Sequence, residues 1–466
     1  MKLNRRDFLS RASAAGLLGT GGLTTSLMSM PALAADTTGY KALVCVFLFG
    51  GMDHYDAVIP YDQASHDSFA TTRESLFSQY VSANSPRSRD NLLALNPVNA
   101  GSLGGRQFAL PQELAPLHTM FESGDAAILA NVGPLLEPTN REMVLNGQAR
   151  LPRKLFSHND QQSTWMSSAP EGALFGWGGR FADAALEANA NQNSLFTSMS
   201  TFGNQVWLSG DVAQQYQLSI GGPDNLIAIQ WPPYFGAEGQ GVSAMMEDHF
   251  RSQGLSPSNL FQQDITDRSR RALDANEAYS NARDEVAEIT TEFPGGYFAQ
   301  QLRTVAEAIS LRNVLGASRQ VFFVGLGGFD THSTQARDLI NRQSQLAAGI
   351  AAFQSAMGEI GASDDVTVFT ASDFGRTLSI NGDGTDHGWG SHHFIIGGAV
   401  NGRQIYGQMP EYGFEHAQDA GNGRLIPTTS VEQYAATLGR WFGLNDQELA
   451  IALPGLSKFT GSPAFV

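Results

Sequence analysis

The sequence predicts an α/β protein: a doubly wound, largely parallel sheet sandwiched by helices, with a cap or insertion on it. Two observations carry this. Short, almost uninterrupted apolar runs recur along the chain, each ending in glycine or polar residues, as strands buried on both faces of a parallel sheet do. Amphipathic helical stretches lie between several of them, and alternating strand and helix calls for right-handed crossovers. Of the 466 residues 42% are hydrophobic and 16% charged, which fits a globular protein and excludes a largely disordered one.

The N-terminus is a separate element. Its basic start with Arg5-Arg6, then Phe8-Leu9, a Gly-, Ser- and Thr-rich weakly apolar stretch and Ala32-Leu33-Ala34 read as a twin-arginine export signal cut after Ala34. The expected organisation is residues 1–34 as signal and 35–466 as one α/β domain. The expected partner is the twin-arginine export machinery, and the expected location is periplasmic or secreted, without stable membrane insertion once the signal is gone. Losing Lys2, Arg5, Arg6, Arg11 and Asp7, a net +3, takes the formal charge from −16 to −19. Such a surface repels nucleic acid, and no nucleic-acid partner is expected. Cys45, the single cysteine, lies inside an apolar run, so no internal disulfide can form.

The first apolar run, Ala42 to Phe49, ends in Gly50-Gly51, and Asp125 to Gly133 gives a second. The stretch from about 191 to 295 is Gly-, Pro- and Gln-rich at first and then polar and helical, and reads as the insertion or cap. Arg319 to His332, Asp364 to Gly375 and His392 to Val400 repeat the strand pattern. After Ser333, Leu339, Leu346, Phe353 and Ile360 recur every seven residues until Gly361 stops the helix. A last helix follows Thr429, where Thr429 and Glu432 match a capping box.

In an open parallel sheet ligands bind beyond the carboxyl ends of the strands. Asp53 and His54, Asp330 and His332, Asp373, and Asp386-His387 all fall at such ends. Taken singly each has a plainer reading as a cap or turn residue; together, Asp53, Asp330, His332, Asp373 and His387 form a candidate metal set. Asp and His ligands without thiolates suit Zn²⁺, Mn²⁺, Fe²⁺, Ca²⁺ or Mg²⁺. Arg376 is a candidate clamp for an oxyanion, or else a solvated surface arginine. His392 and His393 begin a strand, so one should point to each face.

Six ordered stretches, "FLFGGMDHYDAVIP", "LFSHNDQQSTW", "GGFDTHSTQ", "TASDFGRT", "NGDGTDHGWGSHHFIIGGAVNGRQIYG" and "PTTSVEQYAATLGRWFGL", resemble the domain of unknown function 1501 family of exported bacterial proteins, grouped with the alkaline phosphatases and sulfatases. The resemblance implies an alkaline-phosphatase-like sandwich and a divalent-metal site in which Asp53 resembles the first acidic ligand, Asp330 and His332 a metal-binding pair, Asp373 a second aspartate and His387 the late histidine. Two departures stand out. Phe374 takes the place where superfamily phosphatases usually have a histidine, and no sulfatase-type nucleophile motif exists. Ser157, next to His158, is the nearest candidate nucleophile, or else a helix N-cap. The expectation is an exported metal-dependent hydrolase of small anionic phosphate or sulfate esters, with a non-catalytic metal- or ligand-binding protein as the alternative.

Overall fold

The computed structural model describes residues 34–221, 245, 247–249, 251 and 260–466. The export signal, all but its last residue, and much of the 191–295 segment lie outside the described residues. The chain runs through β1 (Lys41–Phe49) and a small antiparallel sheet of β2 (Ile59–Pro60), β3 (Leu93–Ala94) and β4 (Phe108–Leu110). Next come β5 (Ala126–Gly133), β6 (Ser198–Ser200), β7 (Gln215–Gln217), β8 (Arg319–Gly327) and β9 (Val366–Ser372). A hairpin of β10 (Arg376–Ile380) and β11 (Thr385–His387) precedes β12 (Ser391–Ile396), β13 (Ile405–Gly407) and β14 (Thr429–Ser430).

Nine of these strands make one sheet in the order β13-β5-β12-β9-β1-β8-β6-β7, with β14 beside β5. All its pairings are parallel except those of β12, which runs antiparallel to both β5 and β9. The 191–295 segment is therefore not wholly an insertion. It supplies β6 and, at the sheet's edge, β7, and then a helix, Leu260–Glu285.

Why the sheet forms is visible in β1, where every other residue faces the same way. Val44, Val46 and Leu48 join one buried cluster with Leu302, Leu346 and Phe353 from the helices Tyr297–Ser310 and Gln335–Glu359. Leu43, Cys45 and Phe47 join another with Phe181, Tyr434 and Phe442 from helices Trp177–Glu187 and Val431–Phe442. Two faces, each covered by helices, give the expected sandwich. Among the described residues no helix is long and apolar enough to cross a membrane.

One local expectation shifts by a residue. The capping box of helix Val431–Phe442 is Ser430 with Gln433, since Ser430 accepts from the Gln433 amide and Gln433 Oε1 accepts from the Ser430 amide. Thr429 lies one residue before that N-cap and Glu432 one before the N3 position, so neither stands at a capping-box position.

His392 and His393 both lie in the core. His393 packs edge-on against Trp165, whereas His392 meets the buried His54 ring. Burial pushes the pKa of each β12 imidazole down to about 3. The unfolded chain, near 6.5, therefore takes up protons first, and stability is lost as pH falls from about 6.5 toward 3. Between pH 7 and 4 each of the two should cost the fold about 3 kcal/mol. Urea unfolding at both pH values checks this: His393→Gln should shrink the acid loss, and a midpoint independent of pH would contradict the assignment.

Candidate metal centre

The carboxyl ends of β8, β1 and β9 lie side by side, and the loops leaving them build the site. β1 is followed by Gly50, at φ +113°, and a Cβ there would lie 2.3 Å from the Asp330 amide nitrogen. Only glycine lets the first loop approach the Asp330 loop so closely. Gly50 also ties the loops together, donating its amide to Asp373 Oδ1 (3.2 Å) and accepting from Arg376 Nη1 (3.2 Å).

Asp330 is the meeting point. Its Oδ1 lies 2.9 Å from Arg376 Nη1, 3.1 Å from His332 Nε2 and 3.3 Å from His387 Nε2, and its Oδ2 lies 3.5 Å from His158 Nε2. The β10–β11 hairpin explains two of these at once, because Arg376 and His387 are directly opposed across it and so share a face. Burial alone would raise the Asp330 pKa; the hydrogen bond and charge of Arg376, with His332 and His158, outweigh it and hold the carboxyl below its ordinary value.

Each imidazole is oriented from behind. His158 opens the helix His158–Ser167, and its Nδ1–H donates to Asp373 Oδ2 at 2.6 Å, leaving Nε2 toward Asp330. His387 donates Nδ1–H to the Phe156 carbonyl at 2.8 Å. Phe156 adopts φ +75°, a costly conformation for an aromatic residue, and thereby aims that carbonyl. His332 faces Asp386 Oδ1 through Nδ1 (3.2 Å) and His387 through Nε2 (2.8 Å). The Asp373 hydrogen bond raises the His158 pKa against burial, whereas burial lowers that of His387.

His158, Asp330 and His387 thus offer one ligand atom each, all within 4.8 Å of one another. A tetrahedral ion with bonds of ~2.1 Å needs ligand atoms ~3.4 Å apart. The 3.3 Å from His387 Nε2 to Asp330 Oδ1 and the 3.5 Å from His158 Nε2 to Asp330 Oδ2 are each close to that edge, on the two oxygens of one carboxylate, and carbonyl- or carboxylate-backed imidazoles are how metal-bound histidines are normally held. Asp330, His387 and the adjacent His332 come from the expected set.

The other expected residues are placed differently. Asp53 is fully buried and turned to Arg73: Oδ2 accepts from Arg73 Nη1 and from Gln335 Nε2, each at 2.6 Å. Asp373, also buried, accepts from His158, Gln162 Nε2 (2.9 Å) and Gly50, and so backs a ligand instead of being one. Ser157 is the N-cap residue of the His158 helix, and its hydroxyl donates to Asp160 (3.2 Å), not into the site. Arg376 is fully buried, and each of its three nitrogens donates to protein oxygens of Gly50, Asp330 and Thr385. It fixes Asp330 and is not free to clamp an oxyanion. Phe374, in place of the usual histidine, packs its ring against His158 and His387, with centroids 4.9 and 4.5 Å away.

His158 is the member that sequence reasoning underrated. The signal was its position in "LFSHND", where it was weighed only as a neighbour of Ser157.

No curated protein matches the chain. Among solved structures, the C-terminal periplasmic domain of EcEptC from Escherichia coli in complex with Zn is 10% identical, at a TM-score of 0.34, with 89% of this chain and 87% of that one covered. Ps i-CgsB in complex with k-i-k-neocarrahexaose is 9% identical, at 0.32, covering 90% and 76%. An alkaline phosphatase PafA mutant is 10% identical, at 0.26, covering 73% and 64%. These likenesses are too loose to carry residue equivalences. The model of the family described as "Protein of unknown function (DUF1501)" matches residues 237–456, which include Asp330, His332, Asp373, Arg376 and His387.

Proposed function

We propose that the protein is an exported, metal-dependent hydrolase of phosphate or sulfate esters. The observation that carries this is the convergence of His158, Asp330 and His387 on one point, each oriented from behind. The donor set of two imidazole nitrogens and a carboxylate oxygen suits Zn²⁺ or Mn²⁺. A divalent cation bound there would supply Lewis acidity toward a phosphoryl or sulfuryl oxygen. Export rests on the Arg5-Arg6 motif and the small-residue cleavage site.

The chain's own residues have distinct tasks. His158 and His387 hold the cation through Nε2, with Asp373 and the Phe156 carbonyl fixing their tautomers. Asp330 is the anionic ligand, kept ionised by Arg376. His332, half-exposed and backed by Asp386, moves a proton at Nε2 between the attacking water and the leaving group. Water is the nucleophile in this reading because Ser157 faces Asp160. That same orientation, with Arg376 fully taken up, favours the second reading: a binding protein that holds metal without turnover.

Three outcomes check the reading. Zn²⁺ titration of the purified protein should show Asp373→Asn binding about 10–100-fold more weakly and Asp330→Asn more weakly still. Asp53→Asn should leave affinity nearly unchanged, yet destabilise the fold by about 3–5 kcal/mol because Arg73 loses its buried partner. Equal loss of affinity in Asp53→Asn would refute the ligand assignment. Second, because a proton on His158 competes with the cation, affinity should weaken as pH falls from 8 to 6; a flat profile counts against it. Third, aryl phosphate or sulfate ester hydrolysis should vanish on chelation and return with the cation. Stoichiometric metal without turnover of any such ester would leave the binding-protein reading.

A further inference from the structure

We propose that the site prefers singly charged tetrahedral esters, phosphodiesters or sulfate monoesters, over doubly charged phosphate monoesters, and that Asp386 sets the preference. This deepens the hydrolase reading and rests on it.

The basis is the charge around the converging ligands. Asp330, Asp373 and Asp386 bring three carboxylates within reach of the same imidazoles. Among the described residues, the one guanidinium bonded to any of them is Arg376, and its nitrogens are already donating to protein oxygens. The neighbouring Arg424 donates to the His387 and Gly421 carbonyls and stacks over Phe156, and Lys154 pairs with Asp160. Metal ligation requires neutral His158 and His387, and His332 takes a proton from water only when neutral, so three carboxylates and one arginine give −2, which one divalent cation brings to zero.

A monoanionic ester then makes the occupied site −1 and a dianionic monoester makes it −2, and Arg376, Arg424 and Lys154 are already engaged elsewhere. Asp53, which could have recruited a further cation, is already neutralised by Arg73. Asp386 is the exposed carboxylate that faces His332. Its side chain is 46% exposed, and Oδ1 is fixed by His332 Nδ1 and by Asn381 Nδ2 at 2.8 Å. An ester bound beside His332 lies next to this charge, and each extra negative charge on the ester adds to the repulsion. A chain with a net charge of −16 adds to the same bias at low ionic strength.

The test uses the full-length, Zn²⁺-loaded protein at pH 8 and reads binding separately from turnover. Calorimetry measures phenyl sulfate, diphenyl phosphate and phenyl phosphate; hydrolysis is followed with their nitrophenyl counterparts. The two monoanions should bind at least about tenfold more tightly than phenyl phosphate, and which of the two is hydrolysed faster separates sulfuryl from phosphoryl chemistry. Asp386→Asn should cut the preference by about tenfold, and Asp386→Glu should restore it. Phenyl phosphate binding as tightly as the monoanions, or an Asp386→Asn preference equal to the native one, would overturn the proposal. A binding preference that follows Asp386, in a metal-loaded protein that hydrolyses none of the three, would uphold the charge selection and refute the hydrolase reading alone.

Discussion

The structure turns on one constraint: an aspartate carboxylate at the end of a buried strand must be neutralised, and three strands meet here. Each of the three solves the problem differently. Asp53 is matched by a fully buried guanidinium, Asp373 by an imidazole N–H, an amide side chain and a backbone amide, and Asp330 by Arg376 on one side only. Asp330 alone keeps exposed lone-pair directions, with 44% of its side chain open to solvent. The chemistry follows from which carboxylate is left incompletely matched.

The matching groups are themselves linked. Gln335, at the start of the long helix, donates to Asp53 and accepts from the hydroxyls of Thr331 and Thr385, and Thr385 in turn accepts from Arg376. A continuous buried chain of polar contacts thus runs from the Arg73–Asp53 pair to the Arg376–Asp330 pair. Buried polar groups are tolerated only when each finds a partner, and such a network rigidifies what it connects. Removing one partner of the Arg73 pair leaves a charge with no water to receive it, which is why the pair matters to the fold more than to the ligands.

Much of the fold was legible because strand burial writes itself into composition: the runs at 42–49, 321–326 and 366–370 are strands in the structure. The direction of β12 was not legible, since an apolar run carries no sign of parallel or antiparallel pairing. Nor were the two strands in the 191–295 segment, each only three residues long. At the site, residue type and strand-end position located Asp330 and His387, but could not say whether a carboxylate faces solvent or an internal partner. Arg73 sits on the stretch between two helices, twenty residues after Asp53, and Gln335 lies 282 residues away; only the fold brings them to it. His158 escaped because it begins a helix, outside the rule that favours strand ends. Arg376 was legible as a site residue, but its burial against the hairpin, which turns it from a substrate clamp into a support for Asp330, was not.

The central claim is spatial, so the most direct measurement is anomalous X-ray scattering from crystals of the Zn²⁺-loaded protein. The account predicts one strong peak bonded to His158 Nε2, an Asp330 carboxylate oxygen and His387 Nε2, at about 2.0–2.2 Å from each. A principal peak bonded instead to Asp53 or Asp373, or none near Asp330, would contradict it.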